Sequence, residues 1–114
     1  MTNDEFTWSK KEKELARKIF DQAHDRELNN IIDKTRKDIS NIKITEKYRI
    51  WKIHDYLSEK RKEVDFKYDF RYSVIIMVFG RLFEEGLIVE NDLIGLSEEK
   101  IEKIKSIAEF RKRY

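Results

Sequence analysis

The sequence predicts an all-α fold, and three observations lead there. Proline is absent and only three glycines occur, Gly80, Gly86 and Gly95, so little interrupts a helix. Glu, Lys, Leu and Ile, good or tolerant helix formers, dominate the composition. Apolar residues recur at helical spacing along most of the chain. The 114 residues suit one domain, with an extended helical region over 1–64 and a compact helical head over 65–114. Apolar residues make up 39% of the chain, enough for a modest core but short of what an elongated monomer needs, and oligomerisation is the usual remedy.

The first helix is expected after a polar, frayed start over residues 1–7. Ser9 and Glu12 have the spacing of a capping box, and no breaker follows until about Asn41. Its apolar stripe has two phases. Leu15, Ala16, Ile19, Phe20 and Ala23 make a broad globular-type face. Leu28, Ile32, Thr35, Ile39 and Ile42 follow a 4-3-4-3 spacing, that of a coiled-coil seam. The phase breaks across Asp25–Glu27, so the two ends are expected to face different partners, the chain's own head and another subunit. A corner at Ile42–Thr45 leads to a second helix, with Thr45 as N-cap, running to about Val64. Ile50, Ile53, Leu57 and Val64 share its apolar face. His54 and Arg61 lie at the edge of that face, and Trp51, Asp55, Ser58 and Lys62 point further out.

Asp65–Asp69 is a short joint. A third helix is expected from about Phe70 to Glu85, closed by Gly86 and apolar on most faces, as the central helix of a core would be. A single turn capped by Asn91 or Asp92 ends at Gly95. Ser97 caps the last helix, Leu96 and Ile101 staple its start, and Ile101, Ile104, Ile107 and Ala108 face inward.

Charge and motifs exclude more than they assign. With 25 basic and 23 acidic residues the formal charge is +2, too small a field to attract nucleic acid or an anionic membrane by itself. A nucleic-acid surface would have to use Lys10, Lys11, Lys13, Arg17 and Arg111–Arg113, where interspersed acids work against phosphate binding. Without cysteine there is no disulfide or thiolate metal site. His24 and His54 lack a second histidine at metal-ligand spacing. Met1–Lys13 has no apolar signal region and Val74–Phe79 is too short to span a bilayer, so a soluble, cytoplasmic protein is expected. Glu63-Val-Asp65-Phe-Lys67 carries the residue types of a nuclease carboxylate motif without its strand context. His54 and Asp55, adjacent on a helix, point about 100° apart and make no acid–base dyad. No catalytic, metal or cofactor site is assigned, and the chain is expected to be a non-enzyme. Trp51, beside the apolar stripe and among His54, Asp55, Arg61 and Lys62, has the surroundings of an exposed interface hot spot; the alternative is an indole covered by the first helix.

The stretches WKIHDYLSEKR, from Trp51, and KYDFRYSVIIMVFGRLFEEGLI, from Lys67, closely resemble the fluorescence recovery protein family of cyanobacteria. The W-S-x-x-E…A-x-x-I-F-x-x-A…R-E-L pattern from Trp8 to Leu28 resembles it too, so the likeness covers most of the chain. The resemblance implies a homodimer or higher oligomer, with long N-terminal helices packed across a two-fold and a compact C-terminal head. It implies a regulator without cofactor that binds the photoactivated orange carotenoid protein, chiefly through that protein's C-terminal domain. That contact speeds the red-to-orange return and ends phycobilisome quenching. Trp51, His54, Asp55 and Arg61 match the family's patch for partner contact and dimer packing, with Asp55 and Arg61 as an intersubunit ion pair. Leu28, Ile32 and Ile39 of the seam join Trp51, Asp55 and Arg61 in the expected dimer interface. On the head, Met77 stands where the family commonly has Phe, and Lys103 matches a basic partner-contacting residue. The alternative within the same fold is a homologous dimer serving another protein partner.

Overall fold

The first helix begins where Ser9 and Glu12 satisfy each other. Ser9 Oγ accepts from the Glu12 amide at 3.1 Å, and the Glu12 carboxylate accepts from the Ser9 amide at 3.3 Å. In the computed structural model, which describes residues 6–114, this helix, α1, runs Lys10–Ser40. At 1.5 Å per residue its 31 residues span about 46 Å. It is followed by a 3-10 turn (Ile44–Arg49), α2 (Ile50–Lys67), α3 (Ile75–Glu84), a short 3-10 turn (Glu90–Leu93) and α4 (Glu98–Arg113). No strand occurs among the described residues. The molecule is elongated, 59 × 28 × 20 Å.

The two phases of α1 have different fates. Ala16, Ile19, Phe20 and Ala23 are buried in one core with Ile75, Ile76, Phe79 and Leu82 of α3, Leu87, Ile88 and Leu93 of the following loop, and Ile104 of α4. The head core therefore takes in the first half of α1 as well as residues beyond 65. The second phase projects from the head, with α2 folded back along it. Where the phase breaks, polar side chains fasten α1 to the head. Arg26 donates to Asp92 at 2.6 and 3.1 Å and to the Leu87 carbonyl at 2.9 Å.

Gly86 closes α3 as expected. It has φ +80°, its amide bonds the Phe83 carbonyl, and the Leu87 amide bonds Leu82, a Schellman arrangement. Gly80 has a different use. A Cβ there would lie 2.4 Å from Ile107 Cγ2, so its bare backbone is what lets α4 approach α3. Ser97 caps α4, with Leu96 buried and Ile101 against the core, in the stapled form expected. Glu12 reaches across to this corner. Its carboxylate accepts from the Ser97 amide at 2.9 Å and from Lys100 Nζ at 3.0 Å, so one side chain serves the starts of α1 and α4. Burial opposes ionisation of Glu12, but Lys100 and the two serine amides prevail and hold its carboxyl below the ordinary range.

Five local expectations are corrected. The third helix starts at Ile75, not Phe70. Residues 68–74 instead lie against α1, where Phe70 meets Phe20 edge-on at 5.0 Å, Tyr72 meets Trp8 at 5.2 Å and Arg17 covers Phe70. These aromatic contacts would be lost if the segment coiled as helix. Thr45 caps nothing: the chain leaves Lys43 extended, makes a 3-10 turn with Glu46 outside helical space, and enters α2 at Ile50 without a side-chain cap. The second helix continues to Lys67, whose ammonium is neutralised by carboxylates at the joint. Asp92 caps its turn from inside, accepting the Val89 amide at 2.9 Å. The expected fraying over 1–7 falls on residues 1–5 outside the described residues, while Phe6 packs on the core and Lys100 holds the Thr7 carbonyl at 2.7 Å.

Candidate interaction surface

The projecting arm leaves its apolar seam uncovered. Leu28, Ile32 and Ile39 are 40–51% exposed, and Leu57 and Ile50 of α2 flank them at similar levels. Ile53 and Val64 of α2 are buried, so part of the predicted apolar face holds the two helices together and part remains free. Below Leu28 a groove of about 330 Å³ opens between the helices, with Leu28, Ile31, Leu57 and Val64 on its walls and His24 and Arg61 at its rim. A continuous apolar strip on a small protein is the kind of surface that marks an interface.

Beside this strip stands Trp51, 67% exposed and not covered by α1. Its ring meets His54 edge-on at 6.4 Å. His54 Nδ1 lies 3.3 Å from Asp55 Oδ1, so these neighbours on the helix do bend together, but as a solvent-exposed pair. Arg61 points to Asp65 at 3.7 Å, not to Asp55. Six residues apart, Asp55 and Arg61 are offset by about 9 Å along the helix, and within one chain they do not pair.

The other two predicted contact residues lie on the head. Met77 of α3 is exposed and shares with Lys103, Phe110 and Arg111 of α4 a groove of about 350 Å³. The six predicted partner residues therefore fall in two groups, one on the arm and one on the head.

A buried ionic joint between arm and head escaped sequence reading. Lys67, its side chain 1% exposed, donates to Glu27 of α1 at 2.8 Å and to Glu85 after α3 at 2.7 Å. Tyr68 adds its hydroxyl to Glu27 at 2.9 Å, and Arg81 donates to Glu85 at 3.0 Å. Burial, then the hydrogen bond to Glu27, pushes the Tyr68 phenol far upward. Burial opposes ionisation of Glu85, yet Lys67 and Arg81 overcome it and keep its carboxyl below the usual range. Glu63 stands within 4 Å of Lys67 on its own helix and of Arg81 on α3, so the nuclease-like fragment is spent on ion pairing within α2 and across to the head. Glu27, Lys67 and Tyr68 sit inside the R-E-L and K-Y-D motifs, but nothing in those motifs says which residues meet.

Among the described residues no group of three or more acidic or histidine side chains is placed to hold a metal, and no helix is long and apolar enough to cross a membrane. The basic residues weighed for nucleic acid are partly engaged, Arg17 with Asp21 and Arg111 with Glu84.

Arm, exposed aromatic and charged neighbours together describe a helical interaction module. A family model described as "Photoprotection regulator fluorescence recovery protein" matches residues 8–108. The fluorescence recovery protein of Synechocystis sp. (strain PCC 6803) is 42% identical over 104 residues, covering 91% of this chain and 94% of that one. A solved structure of that Synechocystis protein superposes with TM-score 0.82 at 41% identity, covering 90% of this chain and 99% of the other. The structure of the Fremyella diplosiphon fluorescence recovery protein gives TM-score 0.79 at 38% identity, with the same coverage. The chain belongs to the fluorescence recovery protein family.

Proposed function

We propose that the protein is a homodimeric, non-enzymatic regulator that binds the photoactivated orange carotenoid protein through that protein's C-terminal domain and accelerates its return from red to orange, ending phycobilisome quenching. The observation that carries this reading is Trp51, an indole standing free on a long arm among His54, Asp55 and Arg61. Two copies joined along Leu28, Ile32 and Ile39 would cover the free seam. A two-fold placed there would give Asp55 of each copy the Arg61 of the other, a pair that neither makes alone. The joined arms would fix Trp51 in one posture, and Met77 and Lys103 would add a second contact from the head.

No bond need be made or broken. A partner whose contacts strengthen as the carotenoid protein closes lowers the barrier to closure, as transition-state complementarity does in an enzyme. The decisive experiment follows the decay of the photoactivated carotenoid protein with and without this protein. Faster decay, lost in Trp51→Ala, supports the reading; unchanged decay at large excess ends it. Light scattering tests the assembly, and a lone chain at working concentration refutes the dimer.

A further inference from the structure

The two flanks of the arm differ. On α2 the line through buried Ile53 and Val64 faces α1. At 100° per residue Ile50, Leu57 and Arg61 fall to one side of that line, with the seam, and Lys52 and Tyr56 fall to the other. About Ile31, α1 divides the same way: Leu28, Ile32 and Ile39 on the seam flank, Lys34 and Asp38 on the opposite one. Away from the seam, near the tip, a concavity of about 270 Å³ lies between the helices. Lys34, Asp38, Arg49, Lys52 and Tyr56 line it, with Ile53 at its base. A dimer joined along the seam leaves this side open.

The charge of the concavity is unbalanced. Lys34 of α1, Arg49 of the 3-10 turn and Lys52 of α2 converge from three segments on one carboxylate, Asp38. Lys34 Nζ donates to Asp38 at 2.6 Å and stands 4.5 Å over the Tyr56 ring. Arg49 holds Glu46 at 3.3 Å, a residue outside the lining, and Lys52 makes no ion pair among the described residues. The lining therefore carries a surplus of two positive charges. That surplus is local: residues 43–52 hold four basic side chains and one acid, whereas the whole chain sums to +2. Like charges gathered at one concavity repel, and an anion among them relieves the repulsion. We infer that this pocket binds a small phosphate monoester, whose dianion matches the surplus. Arg49 supplies a planar fork for two phosphate oxygens, Lys52 and Lys34 act as point charges, and Ile53 and Tyr56 pack the organic part. The volume holds a phosphate with a short organic stem. The inference stands apart from the proposed function, because the pocket shares no residue with the surfaces assigned to partner or dimer.

The test titrates the full-length protein with glycerol 3-phosphate at constant ionic strength, chloride making up the difference, and reads amide NMR shifts. Saturable shifts at Lys34, Arg49, Lys52 and Tyr56 are expected. Lys52→Gln should need about tenfold more ligand, the effect of losing one charged hydrogen bond. Lys52 is exposed, so circular dichroism of the variant should match the parent. Dimethyl phosphate, a monoanion with the same core, should bind more weakly by a similar factor. Vesicles containing phosphatidic acid present the same ester on a lipid. Co-sedimentation lost in Lys52→Gln, beside the NMR shifts, assigns a lipid headgroup; shifts without co-sedimentation assign a free metabolite. Shifts that fail to saturate, that chloride reproduces, or that spread equally to Lys10–Arg17 and Arg111–Arg113 report counterion screening and overturn the inference. Equal binding of dimethyl phosphate, or unchanged affinity in Lys52→Gln, overturns it as well.

Discussion

Replacing Lys67 with Met should be the most damaging conservative change at the arm–head joint. Met matches the length of the alkyl stem, so little packing is lost; what disappears is the ammonium 2.8 Å from Glu27 and 2.7 Å from Glu85. The two acids suffer unequally. Glu85 is one-quarter exposed and keeps Arg81, so its loss is softened. Glu27, with its side chain only 9% exposed, is left with the Tyr68 hydroxyl alone. Removing one partner of a buried pair costs about 3–5 kcal/mol, and the retained partners point to the lower end, about 3 kcal/mol. In a domain of this size that lowers the melting temperature by on the order of 10 °C. Thermal and urea unfolding by circular dichroism, at one fixed chain concentration so that assembly is held constant, measures it. The double variant Glu27→Leu, Lys67→Met should be more stable than Lys67→Met alone, because no carboxylate is stranded. A single-variant loss below about 1 kcal/mol, or a double variant equal to the sum of the singles, would refute the account of the joint.

The other predictions concern packing, acid and the arm. Gly80→Ala should cost about 1–3 kcal/mol despite the better helix propensity of alanine, since the new methyl meets the stiff, branched Ile107; a rise in melting temperature would contradict this. The Arg26 guanidinium holds the Asp92 carboxyl below its ordinary 3.8, so the pair's stabilisation is present above that value and disappears as pH falls through the lowered one. Arg26→Gln should therefore flatten the acid side of a stability–pH profile, and an unchanged slope would count against the pair. Trp51→Ala should leave stability within about 0.5 kcal/mol while abolishing the effect on carotenoid-protein recovery; a large loss of stability would show the indole to be structural. Ile32→Glu on the free seam should dissociate the assembly in light scattering with helix content retained.

Much of this architecture could be read from local pattern. Ser9 with Glu12, Ser97 with its staple, and Gly86 are signals contained within a few residues, and each turned out as its chemistry demands. The change of phase across Asp25–Glu27 correctly marked where α1 leaves the head. Trp51 was legible because one residue's offset from an apolar stripe decides exposure on a helix. What could not be read was non-local. Lys67 meets Glu27 and Glu85 at sequence separations of 40 and 18, and no periodicity signals such pairs. Phe70 and Tyr72 fit helical spacing, so only the presence of Phe20 and Trp8 opposite them explains their departure from helix.

An uninterrupted α1 acts as a lever. Its first half is bedded in the head, and from Glu27 to Ser40 it reaches about 20 Å beyond the ionic joint. A tilt of about 10° at the joint would swing the tip by about 3–4 Å, enough to make or break a side-chain contact. Whatever grips the head therefore has mechanical purchase on the far end of the rod, with Glu27, Lys67 and Glu85 at the fulcrum.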